Sequence, residues 1–140
     1  MADPFSIRTA TPADCQKITS LWAQCNLTRP WNDSEADFHR AVSGASSDIL
    51  YIEDKGLIIA SVMVGEDGHR GWVYYLGVAP ENQKTGLGRT LMAAAENWLQ
   101  QRAAPKIQLM VRSDNHNAAG FYKALGYEVQ DVMTIGRRLD

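Results

Sequence analysis

The chain has 140 residues, of which 45% are hydrophobic. A domain commonly runs to roughly 100 to 150 residues, so we expect one domain over residues 1–140, with one core and one site. The formal net charge of -2 argues against the concentrated basic surface that binding to a nucleic acid backbone requires.

The sequence also argues against secretion, a membrane segment and a metal site. The first residues lack a basic leader followed by an apolar core, and no apolar run approaches the roughly 20 residues that cross a bilayer. We therefore expect a cytoplasmic protein. Cys15 and Cys25 are too few for a disulfide framework. The three histidines lie in separate segments, which predicts that no metal is bound.

The first 45 residues predict a short strand followed by two helices. Ser6 to Thr9 alternates as a strand does, and Thr11-Pro12 with Asp14 is typical of a helix start. Ser34 with Asp37 resembles a capping pair at the start of a second, shorter helix. The inward-facing positions of the two helices are Ile18, Leu21, Trp22 and Cys25, then Phe38, Ala41 and Val42.

Three β runs follow the second helix. Ile49 to Glu53 and Leu57 to Val64 flank the turn Asp54-Lys55-Gly56, which predicts a hairpin. Trp72 to Val78 is rich in aromatic and β-branched residues and predicts a third strand. Gly77 inside this strand indicates a bulge or a close approach of neighbouring atoms.

The next helix and strand are set by spacing and by proline. From Gly86 onward apolar residues recur at helical spacing, and Pro105 ends that helix. Its apolar positions are Leu87, Leu91, Ala94, Ala95, Trp98 and Leu99. Ile107 to Val111 predicts a buried strand.

The last part of the chain predicts one more helix and two strands. Asn117 can cap the helix, and Gly126 can end it in the left-handed conformation. Tyr127 to Gln130 and Met133 to Leu139 predict a final strand pair. The edge of this pair could join a second chain in a homodimer.

The segment between the third β run and the following helix has the composition of an anion-binding loop. The start of a helix offers unpaired amide N–H groups and the positive end of the helix dipole. Gly86 and Gly88 leave the backbone accessible, while Lys84 and Arg89 add positive charge. The loop predicts a polyphosphate ligand, although the two glycines alone fit a simple strand-to-helix turn equally well.

Two common phosphate-binding motifs do not fit this loop. Its lysine precedes the glycines, which excludes the GxxxxGK[ST] nucleotide loop. The third glycine of the dinucleotide-binding motif is also missing.

Gln83-x-x-Gly86-x-Gly88, after Gly77-Val78-Ala79-Pro80, resembles the pyrophosphate signature of the GNAT superfamily of N-acetyltransferases. Asn115 to Tyr127 is similar to the second hallmark of that family, and Arg8-x-Ala10-x-Pro12-Ala13-Asp14 is similar to its usual start. Together these motifs extend over nearly the whole chain. The resemblance implies a small, single-domain, bacterial-type member with an α+β fold. That fold has a mixed, mostly antiparallel sheet of about six or seven strands, flanked by about four helices.

The resemblance implies direct transfer of an acetyl group from acetyl-CoA to a primary amine of a small molecule, an amino acid or a polypeptide. Tyr122 would be the general acid that protonates the leaving thiolate, and the Leu76 amide would donate to the oxyanion. The implied cofactor-binding residues are Leu76, Val78, Gln83, Lys84, Thr85, Gly86, Leu87, Gly88, Arg89, Asn115, Asn117 and Tyr122.

The sequence departs from the family pattern at two places. Gln83 stands where arginine is frequent, and Lys84 can supply the missing charge. The strand from Trp72 to Val78 lacks the carboxylate that many members carry there, which motivates an alternative function as a catalytically weak CoA-binding sensor or partner subunit. The base is left unassigned, with a chain of water molecules as plausible as the side chains of Glu53, Glu66 and Tyr75.

Overall fold

The structure is a computed structural model that describes residues 6–140. The chain divides into two compact units, Met1–Met110 and Val111–Asp140, and each is described by itself. The prediction that one domain spans residues 1–140 stays a prediction. None of the helices in the described range combines the length and apolar character that crossing a bilayer requires.

The first unit is built on a five-stranded sheet. The strands follow the order β1-β2-β3-β4-β5, with antiparallel pairing up to β4 and parallel pairing of β4 with β5. This arrangement confirms the predicted α+β class and the mostly antiparallel sheet. The elements are β1 (Ile7–Thr9), α1 (Cys15–Gln24), α2 (Ser34–Ser43), β2 (Ser47–Asp54), β3 (Leu57–Glu66), β4 (Gly71–Val78), α3 (Leu87–Gln100) and β5 (Ile107–Gln108).

The helices of this unit cover both faces of the sheet. Ile49 and Tyr51 of β2 belong to the cluster of buried residues that α1 and α2 supply. Asp48 lies on the other face of β2, because successive side chains of a strand alternate, and its Oδ2 accepts a hydrogen bond of 2.9 Å from Trp98 Nε1 of α3. The sheet is therefore packed between α1 and α2 on one side and α3 on the other.

The predicted hairpin between β2 and β3 is confirmed. Asp54 pairs with Leu57, which leaves Lys55 and Gly56 as a two-residue loop. Both loop residues have positive φ, 52° for Lys55 and 81° for Gly56. This is the conformation of the type I′ turn, whose twist matches that of the strands it joins.

The start of α2 differs from the prediction. The residue that caps it is Asp33, whose Oδ1 accepts a hydrogen bond of 3.1 Å from the Ala36 amide. The predicted pair of Ser34 and Asp37 therefore does not cap this helix, because an aspartate one position earlier already binds the orphan amide. The Asp37 carboxylate bonds elsewhere.

The second unit contains α4 (His116–Ala124). Asn115 caps it, since its Oδ1 accepts a hydrogen bond of 3.1 Å from the Ala118 amide, and Asn117 lies within the first turn. The prediction of Asn117 as the cap was wrong by two residues. Gly126 has a φ of 93°, so the predicted left-handed position after the helix is confirmed.

The strand predictions near the C-terminus were wrong. Neither Tyr127 to Gln130 nor Met133 to Leu139 forms a strand, and the predicted strand Ile107 to Val111 is reduced to Ile107–Gln108, which is half-buried. A strand needs a neighbour for its hydrogen bonds, and alternating apolar residues do not supply one. The described residues therefore hold five strands rather than the expected six or seven, and the sheet edge on which the predicted homodimer rested is absent. The apolar side chains of the last segment are 75% to 95% exposed: Val129, Val132, Met133, Ile135 and Leu139.

Gly71, at the start of β4, gives a test of how tightly α3 packs on the sheet. A Cβ placed there would lie 2.9 Å from Cγ of the buried Leu99 and closer still to both of its methyl groups. We expect Gly71→Ala to lower the free energy of unfolding by about 1 to 3 kcal/mol, as overpacking of a core does. Urea unfolding followed by circular dichroism measures this.

The matched control is Gly120→Ala in α4, where a Cβ meets nothing within 4 Å. Alanine favours a helix over glycine by about 1 kcal/mol, so this variant should be as stable as the parent or more so. Equal stability of Gly71→Ala and the parent would contradict the described packing of α3.

Candidate functional site

The loop after β4 reaches the start of α3 in an unusual backbone conformation. Lys84 has a φ of 64° and Gly86 a φ of 89°, so the chain turns twice through the left-handed region. Two side chains brace the turn, since Gln83 Nε2 donates to the Val78 carbonyl at 3.1 Å and Thr85 Oγ1 donates to the Asn82 carbonyl at 2.6 Å. Gln83 thus ties the loop back to β4.

The start of α3 has no side-chain cap. Gly86 occupies the N-cap position, and the first helical hydrogen bond runs from the Thr90 amide to its carbonyl at 3.0 Å. An α-helix leaves the amides ahead of that bond without a helical partner. The first turn contains Arg89 and no acidic residue, so the positive end of the helix dipole is not neutralised there.

The side chains of the loop before α3 and of its first turn differ in their exposure to solvent. Lys84, Thr85 and Arg89 are exposed, whereas the Leu87 side chain is buried in the core. A Cβ on Gly86 would meet nothing within 4 Å, so the space in front of this residue is open. Leu87 can therefore serve a ligand through its backbone only.

A bulge interrupts β4 where Gly77 predicted one. Ser61 of β3 pairs with Gly77 and Met63 pairs with Tyr74, so Tyr75 and Leu76 together oppose a single residue of β3. Tyr75 has a φ of 55°, which is uncommon for a residue with a side chain. A bulge of this kind removes residues from the ladder and redirects their amides and side chains.

Gly77 also shows the predicted close approach. A Cβ there would lie 2.9 Å from Leu27 Cδ1 and 3.0 Å from Cys25 Sγ. The Cys25 thiol donates to the Val78 carbonyl at 3.3 Å, and burial raises the pKa of this thiol, followed by the effect of the Glu81 charge. The segment after α1 therefore packs closely against the bulge.

Tyr75 is held on both sides. Its ring stacks on Trp22 with centroids 3.9 Å apart and planes at 9°, and Trp22 Nε1 donates to the buried Ser61 Oγ at 3.3 Å. The Tyr75 hydroxyl donates to Asp37 Oδ2 at 2.8 Å. Burial, and next the hydrogen bond to Asp37, raise the pKa of Tyr75 far above its ordinary value, so this phenol keeps its proton at neutral pH.

The two glutamates considered as bases lie elsewhere in the sheet. Glu53, next to the last residue of β2, pairs with Arg8 at 3.2 Å. Glu66 Oε2 accepts a hydrogen bond from the Gly68 amide at 2.9 Å in the turn before β4. Within residues 6–140, no three His, Cys, Asp or Glu side chains form a group that could hold a metal ion.

The remaining candidates, Asn115, Asn117 and Tyr122, belong to the second unit. Burial raises the pKa of Tyr122 to about 12, which keeps its hydroxyl protonated at neutral pH. Its ring lies edge-on to Phe121, with centroids 5.0 Å apart. Asn115 uses its side-chain oxygen to cap α4, while Asn117 is exposed in the first turn.

Sequence reasoning did not identify Asp37 as part of this site. Its partner Tyr75 is 38 residues away, and the pattern around Asp37 is that of a helix start. The one signal in the sequence was Asp33, which lies just ahead of the predicted pair. Because Asp33 can cap the helix, the Asp37 side chain is available for another contact.

Comparison with known proteins identifies the family of the chain. The Acetyltransferase (GNAT) family matches residues 15–127. The chain is 42% identical over 135 residues to "Acetyltransferase YE1169" of Yersinia enterocolitica, with 96% of both chains covered.

Two solved structures share the fold. The first is AAC(6')-Iy in complex with the bisubstrate analog CoA-S-monomethyl-acetylneamine, at a TM-score of 0.83 and 15% identity, covering 97% of this chain and 99% of that one. The second is the ribosomal-protein-alanine N-acetyltransferase of Brucella melitensis biovar Abortus, at a TM-score of 0.78 and 15% identity, covering 96% and 99%. The family match extends over most of the chain, and the chain therefore belongs to the acetyltransferase (GNAT) family, as an N-acetyltransferase.

Proposed function

We propose that the protein transfers an acetyl group directly from acetyl-CoA to a primary amine. The observation that carries the proposal is the uncapped start of α3 behind a loop that turns through the left-handed region at Lys84 and Gly86. In a chain of this family, such a cluster of unpaired amides fits the pyrophosphate of CoA. The structure of AAC(6')-Iy with a CoA-containing analog supports this choice of donor.

The loop would bind the pyrophosphate mainly through its backbone. The amides of residues 84–89 supply the donors, and the exposed Lys84 and Arg89 side chains supply positive charge. Gln83 would shape the loop through its bond to Val78 rather than contact phosphate with its amide nitrogen. Thr85 and Gly88 complete the cradle.

The bulge in β4 would bind the reacting end of acetyl-CoA. Because Leu76 lies in the bulge, its amide is withdrawn from regular pairing with β3 and can donate to the carbonyl oxygen of the thioester. That donor would stabilise the negative charge that develops on this oxygen in the transition state. Leu76 and Val78 would also contact the acetyl and pantetheine parts.

Tyr122 would act as the general acid. The amine nitrogen attacks the thioester carbonyl carbon, the carbon–nitrogen bond forms, and the carbon–sulfur bond then breaks as the tetrahedral intermediate collapses. The Tyr122 hydroxyl, protonated because burial raises its pKa to about 12, gives its proton to the leaving sulfur. The proton lost by the amine passes to water, and Asn115 or Asn117 would support the pantetheine arm.

The acceptor is proposed only as a class, a primary amine of a small molecule, an amino acid or a polypeptide. The two structural neighbours bind or modify very different acceptors by their names, an aminoglycoside-derived analog and a ribosomal protein. A fold shared at 15% identity does not indicate which class of acceptor this protein uses. We further propose that the protein works in the cytoplasm.

A second candidate function is a CoA-binding sensor with weak turnover. It is favoured by β4 itself, whose sequence Gly-Trp-Val-Tyr-Tyr-Leu-Gly-Val contains no carboxylate. Binding of acetyl-CoA without acetylation of any amine in a broad panel would support the sensor over the transferase.

Gly86→Ala tests the loop assignment. Alanine in the left-handed region costs about 1 to 2 kcal/mol, and relief of that strain would rearrange the amides that face the pyrophosphate. We expect acetyl-CoA to bind at least about tenfold more weakly, measured by titration calorimetry, which corresponds to about 1.4 kcal/mol.

Gly68→Ala is the matched control for this variant. Gly68 has a φ of 87°, close to the 89° of Gly86, and it lies in the turn before β4 with open space around it. Both variants should lose similar stability, and only Gly86→Ala should lose affinity. Unchanged acetyl-CoA binding by Gly86→Ala would show that the loop is a simple turn.

Tyr122→Phe tests the acid. We expect kcat to fall by about 100-fold, within the usual range for loss of a general acid, with little change in acetyl-CoA affinity. Because the pKa of Tyr122 is about 12, the rate of the parent should rise with pH as the amine loses its proton, without loss of the acid below about pH 11.

Tyr127→Phe is the matched control, because it removes the hydroxyl group of the other tyrosine of this unit. The ring centroid of Tyr127 lies 5.8 Å from that of Tyr122. This variant should keep a kcat near that of the parent. Equal losses in both variants would point to a packing effect and against an acid at Tyr122.

A further inference from the structure

Asp37 is a half-buried carboxylate whose position the proposed transfer does not explain. It lies in the first turn of α2, where Asp33 already caps the helix. Its side chain is 27% exposed. One oxygen, Oδ2, accepts a hydrogen bond of 2.8 Å from the Tyr75 hydroxyl.

The other oxygen of Asp37 has only a weak partner. Arg40 Nη1 lies 3.4 Å from Oδ1, and the Arg40 side chain is 77% exposed. An exposed ion pair of this kind contributes little, typically less than about 1 kcal/mol. A carboxylate can accept about four hydrogen bonds, so Asp37 has the capacity to bind a further cation.

The position of Asp37 relates it to the proposed reaction. Tyr75, to which it is bonded, is the first residue of the β4 bulge, and the next residue is Leu76, whose amide the proposed function assigns to the acetyl carbonyl. Tyr75 thus links the carboxylate to the residue next to the one that the proposed function assigns to the reacting end of the donor. A group bound at Asp37 and a group that attacks the thioester can belong to one small acceptor.

The surroundings of Asp37 are rigid. Tyr75 is fixed by its stack on Trp22, and Trp22 is fixed by its bond to Ser61. Because the carboxylate is already held in place, pairing with an ammonium ion costs little ordering of this side chain.

The chemistry of ion pairing decides which ammonium group Asp37 would bind. A carboxylate next to an ammonium favours the charged form and raises its pKa. The attacking amine must instead be neutral, because the lone pair of its nitrogen forms the new bond. A group held at Asp37 would therefore be a second cation that does not react.

We propose that Asp37 binds a second, unreactive ammonium group of the acceptor, so that the substrates of this site are amines with at least two positive charges. This inference rests on the proposed acetyl transfer and names its substrate class. The Tyr75 hydroxyl holds the carboxylate in place, and Arg40 is displaced when the acceptor enters.

The test compares acceptors that differ only in the second charge. One series is the linear α,ω-diamines with three to five carbons, and the other is the amino alcohols of the same lengths. For the parent we expect kcat/KM to be at least about tenfold higher for the best diamine than for the amino alcohol of equal length, which corresponds to about 1.4 kcal/mol. Equal values for the parent would overturn the proposal.

Asp37→Asn removes the charge and keeps an oxygen that can accept from Tyr75. We expect it to lose the preference for the diamine, through a higher KM for the diamine, so that kcat/KM becomes similar for the diamine and the amino alcohol of equal length. Glu35→Gln is the matched control, with the same change of charge in the same turn of α2, and it should keep the preference. A preference retained in Asp37→Asn would overturn the proposal.

A failure of the transferase proposal would look different. The parent would then acetylate neither series. In that case, calorimetric titration of the parent and of Asp37→Asn with 1,4-diaminobutane tests whether Asp37 binds a cation, independently of acetyl transfer. Binding that is at least about tenfold weaker in Asp37→Asn supports the cation site, and equal or absent binding in both proteins rejects it.

Discussion

The bulge in β4 is the constraint on which the rest of the site depends. It places two residues, Tyr75 and Leu76, opposite one residue of β3, and it forces Tyr75 into the left-handed region. Such a conformation persists only where the surroundings fix it. Here Trp22 stacks on the Tyr75 ring, Asp37 accepts from its hydroxyl, and the contacts at Gly77 leave no room for a side chain.

The bulge and the loop before α3 lie on one short stretch of chain, from Tyr75 to Gly88. The bulge redirects the end of β4, and the loop exposes the uncapped amides of α3. Gln83 links them, because its side chain bonds to the Val78 carbonyl. In our proposal the stretch binds acetyl-CoA from the thioester to the pyrophosphate, so a change in the bulge should also affect the loop.

Local patterns predicted most of the first unit, whereas competing capping residues and contacts distant in sequence account for what was missed. The hairpin at Lys55-Gly56, the helix that begins after Gly86 and the bulge at Gly77 each follow from residues within one element. The caps were wrong where two suitable residues lie close together, as Asn115 and Asn117 do. The C-terminal strands were wrong because alternation predicts a strand but not its partner, and Asp37 was missed because its partner is 38 residues away.

Backbone amide shifts during a titration with CoA test the central claim most directly, since they report which amides meet the ligand. The account predicts that the largest changes in a two-dimensional ¹H–¹⁵N NMR spectrum of the protein fall on residues 84–89 and on Leu76 to Val78, with smaller changes in α1. Saturable changes confined to other parts of the chain, or no changes with CoA in excess, would contradict it.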